Sequence, residues 1–268
     1  MIVCKSPAEL ELMKAANALV ADILAELRAA VAPGVTTADL DALAEERVRA
    51  AGAEPAFKGY HGYPATICAS VNEEVVHGIP SGRALVEGDI LSVDLGVRLE
   101  GFYGDAAVTV PVGTVSEEAA ALLRVTEEAL HRAIARTRVG ARISDLGHAV
   151  QSHVEAHGFS VVREFVGHGI GRKLHEDPQI PNYGPPGRGP RLAEGMVLAI
   201  EPMVNAGKAP VKVLADGWTA VTRDGSLSAH FEHTVAVTAQ GPLVLTAPGG
   251  AEVADDEGYW PSLQTAGL

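Results

Sequence analysis

The stretch ILSVDLGVRLEGFYGDAAVTVPV, residues 90–112, decides the fold class. Two apolar runs, 90–98 and 102–110, flank Glu100-Gly101, a turn pair, so the segment reads as a β-hairpin. With that turn, Asp94 faces Ala107 and lies diagonally from Asp105; a register shifted by two residues would set the aspartates directly opposite, and only a one-residue slip would part them from one face. Two carboxylates about 4 Å apart repel by roughly 4 kcal/mol at an effective dielectric of about 20. Acids are seldom buried unless they are paired or coordinate a metal. A hairpin that places two on one face points to a cation.

Other acids and histidines stand in similar apolar surroundings: His77 in VVHGIP, His168 in FVGHGIGRKLHE, Glu201 in VLAIEPMV and Glu232 in SAHFEHTVAV. A lone strand Asp is more often a turn or surface residue, and a histidine between glycines can be a plain loop residue. Two aspartates, two glutamates and one histidine together suit two divalent ions sharing bridging carboxylates, hence metal-activated hydrolysis. His131, His148, His153 and His157 fall on helices without convincing ligand spacing and read as surface or core residues.

Around the hairpin the chain alternates helices and strands. Ser6-Pro7-Ala8-Glu9 has the capping-box pattern and opens a helix carrying Leu10, Met13, Leu19, Ile23 and Leu27, ended by Pro33-Gly34. A second helix runs from Thr37 to Ala51 and stops at Gly52. A third starts at Ser116-Glu117-Glu118 and reaches Thr137; a fourth runs from Ser144 to Gly158. Strand-like runs cover 65–71, 159–166, 196–204, 229–238 and 242–246. Asp39-Leu40 precedes Gly52 by the same interval as Asp145-Leu146 precedes Gly158, which suggests a duplicated αα-β unit. The halves then span about 1–111 and 112–247, with the site between them. Residues 248–268, rich in Gly, Ala and acids, are expected to be a poorly ordered tail.

The 268 residues suffice for one well-cored catalytic domain, and a hydrophobic content of 47% fits a globular chain. A net charge of -13 argues against nucleic-acid or anionic-membrane partners. Cys4 and Cys68 form no Cys-x-x-Cys signature. No signal-peptide pattern or membrane-length apolar run is present, so a cytoplasmic location is expected.

Six ordered fragments resemble the type I methionine aminopeptidases of the pita-bread fold: GYHGYPATIC (59–68), SVNEEVVHGIP (70–80), DLGV with GFYGDAA (94–107), GHGIGRKLHEDPQIPNY (167–183), IEPMVN (200–205) and HFEHTVAVT (230–238). The resemblance implies an α+β pita-bread fold, with pseudo-twofold αα-β halves and a shared, mostly antiparallel, curved sheet covered by helices. It implies that Asp94, Asp105, His168, Glu201 and Glu232 hold two divalent ions (cobalt, manganese, iron or zinc), with Asp105 and Glu232 bridging. A hydroxide held between the ions would then hydrolyse the bond after an N-terminal methionine. Glu201 would shuttle the proton, His175 would hydrogen-bond the scissile carbonyl, and His77 would contact the scissile amide or leaving group. Tyr60, Tyr63, Phe57, Cys68, Trp218 and His61 fall at positions around the methionine pocket, where sulfur and aromatic rings attract each other. Members can also hold a monovalent cation near the Asn72 and Ser228 positions.

Two positions depart from the family pattern. His230 stands where Gln is frequent, on the strand face of Glu232, and is expected to border the pocket for the second substrate residue. Leu174 stands where an aromatic is common. The implied partners are nascent polypeptide N-termini beginning with Met, near the ribosome, with the enzyme a monomer. X-Pro aminopeptidases and prolidases share the fold but usually carry a sizeable N-terminal domain. A binding protein on this scaffold would typically lack the ligands found here. A two-metal nuclease would need a basic surface.

Overall fold

The computed structural model describes residues 1–247 and 251–252. Helix α1 (Pro7–Ala30) opens on Ser6, whose backbone N–H donates to Glu9 Oε2 at 2.9 Å while its hydroxyl accepts from Glu9 N. Met13, Ala16, Val20, Ile23 and Leu27 line its buried face; Leu10 and Leu19 lie at its margin. Helix α2 (Thr37–Ala50) is capped by Thr36 with Asp39, and Gly52 follows it with φ +71°. Helices α3 (Glu117–Ala135) and α4 (Ile143–Ala156) form the second pair. Asp39 Oδ2 accepts from Thr36 N at 3.0 Å and Asp145 Oδ2 from Arg142 N at 2.8 Å. The repeated Asp-Leu thus marks equivalent first-turn positions, where a carboxylate satisfies a backbone donor.

The strands that matter for the site are β1 (Ile67–Val71), β2 (Ile90–Leu99), β3 (Phe102–Pro111), β4 (Gly167–Gly169), β5 (Glu176–Ile180), β6 (Val197–Ile200), β7 (Met203–Asn205), β8 (Ser228–His230), β9 (His233–Thr238) and β10 (Gly241–Val244). Strand β2 pairs with β1 on one edge and with β3 on the other. Strands β10, β9, β6, β4 and β5 follow in that order in a second sheet, while β7 pairs with β8. Every pairing among the described strands is antiparallel. The β2–β3 hairpin turns at Glu100-Gly101, with Asp94 opposite Ala107 and Gly96 opposite Asp105, the first of the two registers the sequence allows. Backbone bonds between Ala107 and Glu232 join the hairpin to the second half.

Two apolar cores flank this junction. One joins α1 and α2 to the hairpin through Val20, Leu27, Leu40, Leu91, Val93 and Leu95. The other joins α3 and α4 to β6 and β9 through Leu122, Leu130, Leu146, Leu198 and Val235. A smaller cluster with Phe57, Tyr63, Cys68, Ile170 and Leu174 lies beneath the site. Cys4 and Cys68 are both free. The expected tail falls outside the described residues, except Ala251–Glu252, which pair with Val244 and Leu243.

Two expected strand runs are divided in the fold. The run 196–204 breaks at Glu201-Pro202, and the run 229–238 breaks at Phe231-Glu232. On one side of each break the strands pair as β6 with β9; on the other they pair as β7 with β8. Period-two alternation fails there because the chain changes sheets. Of the run 159–166, only Ser160–Val161 is strand.

Candidate active site

Both breaks carry an acid, so Glu201 and Glu232 meet where the two sheets part. Across them stand Asp94 and Asp105 from the hairpin, and His168 from β4. The register is fixed by Glu232 N donating to Ala107 O at 2.9 Å, and by Thr234 Oγ1 donating to Asp105 O at 2.7 Å. His168 sits between two glycines for a steric reason. A Cβ at Gly167 would collide with Ala199 O, and one at Gly169 with Asp177 O. In the hairpin, a Cβ at Gly96 would stand 2.7 Å from Phe57 Cε1, so the glycine of DLGV lets that ring approach.

Asp105, Glu232 and His168 are 4%, 3% and 7% exposed, whereas Asp94 and Glu201 keep an edge open to the cavity. Ligand-type atoms of Asp105, His168 and Glu232 all lie within 4.8 Å of one another. Asp94 Oδ1, Asp105 Oδ1 and Glu232 Oε1 are buried without a hydrogen-bond partner. An isolated buried acceptor is costly, and three converging ones are a donor set for cations. His168 Nδ1 lies 2.9 Å from Gly169 O, so it carries the proton, and Nε2 turns its lone pair to the site, 3.6 Å from Glu201 Oε1. The residues present therefore fit hard divalent ions with one imidazole ligand.

The electrostatics agree. Burial, followed by the neighbouring acids, pushes Asp105, Glu201 and Glu232 well above the usual carboxylate range, and burial raises Asp94 too. Burial lowers His168 to about 3 and His77 to about 4, keeping both neutral. A cluster of acids that resists ionisation in the metal-free state takes up cations readily as it releases protons.

Beside the acids opens a cavity of about 160 Å³. Phe57, Tyr63, Cys68 and Trp218 line its apolar side, with Leu174; Tyr60, His61, His77 and His175 also border it. Tyr63 OH reaches the carbonyls of Ile67 and Gly78 at 3.0 Å each, fixing its ring as a wall. Burial raises the Cys68 thiol well above its ordinary pKa, so it is a pocket surface rather than a nucleophile. His61 and His77 hold positive φ, +48° and +60°. Strain of this kind in non-glycine residues is concentrated at functional sites.

Three relations escaped the sequence. Tyr60 OH lies 2.9 Å from His175 Nδ1 and fixes that ring. Phe165 stacks edge-on to His77, with centroids 5.4 Å apart. His230 is 2% exposed; its Nε2, without a hydrogen-bond partner, lies 3.8 Å from Glu201 Oε2. The signal for Phe165 was its place in FVGHGIG; the other two depend on contacts across the fold.

Fold and site define a metal-dependent hydrolase of the pita-bread class. The chain matches metallopeptidase family M24 over residues 11–239 and belongs to that family, on its type I methionine aminopeptidase branch. It is 55% identical over 246 residues to methionine aminopeptidase 1 of Bacillus subtilis, covering 92% of this chain and 99% of that one. A methionine aminopeptidase structure from Thermotoga maritima superposes with a TM-score of 0.91 at 53% identity, covering 92% and 99% of the two chains. A prolidase from Pyrococcus furiosus shares the fold, with a TM-score of 0.74 at 23% identity over 91% of this chain and 65% of that one.

Proposed function

We propose that this enzyme removes N-terminal methionine from peptides and nascent proteins by hydrolysis. The observation that carries the reading is the convergence of five ligating side chains beside an apolar cavity with a fixed tyrosine wall. Asp94, Asp105, His168, Glu201 and Glu232 would hold two divalent ions. When bound, such ions supply Lewis acidity and lower the pKa of the attacking water.

The remaining work falls to side chains. Phe57, Tyr63, Cys68 and Trp218 receive the flexible thioether chain and exclude water from it. Tyr60 and His61 border the same cavity. Glu201, poised to hold a proton, takes it from the attacking water and delivers it to the leaving amine as the C–N bond breaks. Tyr60 orients His175 through Nδ1, leaving its other nitrogen for the oxygen on which charge develops. His77, kept neutral and held by Phe165, contacts the scissile amide or the leaving chain. His230 influences the second residue through its contact with Glu201.

The same proposal covers a single catalytic unit (1–247) with halves of about 1–111 and 112–247, acting as a monomer in the cytoplasm near the ribosome. Among the described residues, no helix is long and apolar enough to cross a membrane. Ser228 N donates to Asn72 O at 2.8 Å, and a monovalent cation is proposed beside that junction. The test strips the protein with chelator, restores manganese or cobalt, and follows Met-Ala-Ser beside Ala-Pro-Ala. Metal-dependent release of methionine is expected; cleavage only before proline would move the chain to the X-Pro hydrolases.

A further inference from the structure

A second set of ligating atoms lies on the outer helical layer, away from the cavity. Glu128 of α3, His153 of α4 and His157 at the α4 C-cap each bring one ligand-type atom within 4.8 Å of the other two. We propose that Glu128, His153 and His157 form a separate site for one zinc-class transition-metal ion, held by two imidazoles and a carboxylate with water completing the shell. This inference does not depend on the reaction at the buried centre.

The local geometry prepares each ligand. His153 in the last turn of α4 and His157 at its C-cap are four residues apart, with ring centroids 4.5 Å apart. His157 Nδ1 lies 2.8 Å from His153 O, and a carbonyl only accepts. That nitrogen therefore carries the proton and leaves the Nε2 lone pair free. A backbone carbonyl on the far nitrogen is also the usual support of a metal-ligating histidine. Glu128 is held in a similar way: Arg124 Nη1 donates to Oε1 at 3.0 Å, leaving Oε2 to face His153.

Glu128 Oε2 and His153 Nε2 stand 2.9 Å apart. Two ligands of a tetrahedral zinc ion stand roughly 3.3 Å apart, so a movement of a few tenths of an ångström admits the ion. Without metal, the contact is a hydrogen bond from Nε2–H to the carboxylate. On binding, the imidazole proton moves to Nδ1 and the ion takes its former place, with no change in the ring's charge. Burial, then Arg132, lowers the pKa of His153, which favours the neutral, ligating form. The Glu128 side chain is 41% exposed, so ions and chelators reach the site directly. Bound metal would cross-link α3 to α4.

The experiment uses zinc chloride on full-length protein stripped with chelator, with bound zinc counted after equilibrium dialysis. The parent is expected to retain one zinc per chain more than His157→Ala, and Glu128→Gln to show the same deficit. Zinc added after the buried centre is filled should raise the Tm of the parent and leave that of His157→Ala unmoved. The variant's manganese-dependent peptidase rate, expected to match the parent's, reports that it folds. Equal zinc counts in the parent and both variants would overturn the proposal and leave Glu128–His153 as a hydrogen-bonded helix contact.

Discussion

The buried centre and the outer-helix cluster assemble ligand atoms by opposite means. At the centre, the ligands come from separated strands, and three carboxylate oxygens lack hydrogen-bond partners. On α3 and α4, one helical turn aligns two imidazoles, and each polar group already has a protein partner. The difference teaches where a metal is structurally required. Desolvated acids need a cation or protons, whereas solvated groups with hydrogen bonds fold comfortably without one. The centre is therefore expected to be rich in oxygen ligands and tightly coupled to protonation, and the helix cluster rich in nitrogen ligands and optional.

The comparison breaks most sharply at Asp105. Asp105→Ala is expected to abolish peptidase activity and metal retention at the centre while the zinc on α3 and α4 stays; loss of both in metal counting would merge the two sites. Glu201→Gln keeps the side chain's shape but removes its charge as well as its proton transfer, so, at metal concentrations that keep the centre filled, kcat should fall by about 10²–10⁴. A stopped-assay measurement near the parent rate would refute the shuttle role. His175→Ala should lower kcat by about 10²–10³ with metal content intact, whereas His168→Ala should lose metal and rate together.

The protonation contrast is testable without turnover. Asp105 has a raised pKa in the metal-free fold, so its contribution to stability is fully present below the unfolded value of about 4 and is lost as pH rises through the folded one. Metal-free Asp105→Asn should therefore have a higher Tm than the metal-free parent at pH 7, and the gap should shrink toward pH 4. A pH-independent gap would place the acid's ionisation outside the stability balance. The smallest effect is expected at His230: His230→Gln should shift preference for the second residue by less than tenfold at unchanged metal content. An unchanged specificity profile would reject its influence through Glu201.

Much of this was legible because local chemistry and long-range geometry coincide in a hairpin. A two-residue turn fixes register, so Asp94 and Asp105 could be paired on one face from the sequence. The capping box of Ser6 and Glu9 also reads correctly, since its partners lie within one turn. The divided strands at Glu201 and Glu232 did not, because an apolar run looks the same whether the chain stays in one sheet or passes to another. His230 shows the same gap: alternation gives its face, but only the fold sets its Nε2 3.8 Å from Glu201 Oε2. By sequence His153 and His157 read as surface or core residues although they stand four residues apart, because their third neighbour, Glu128, belongs to another helix.

The sequence by itself determined the helices, the hairpin, the acids that charge repulsion makes conspicuous, and the family resemblance of six ordered fragments. These follow from periodicity, capping and turn chemistry, which act over a few residues. Only the tertiary structure decided which side chains share a cavity, which nitrogen of His168 faces it, and that α3 brings a carboxylate to the imidazoles of α4. Those outcomes depend on how separate elements pack, and side-chain contacts between elements leave no fixed spacing in the chain.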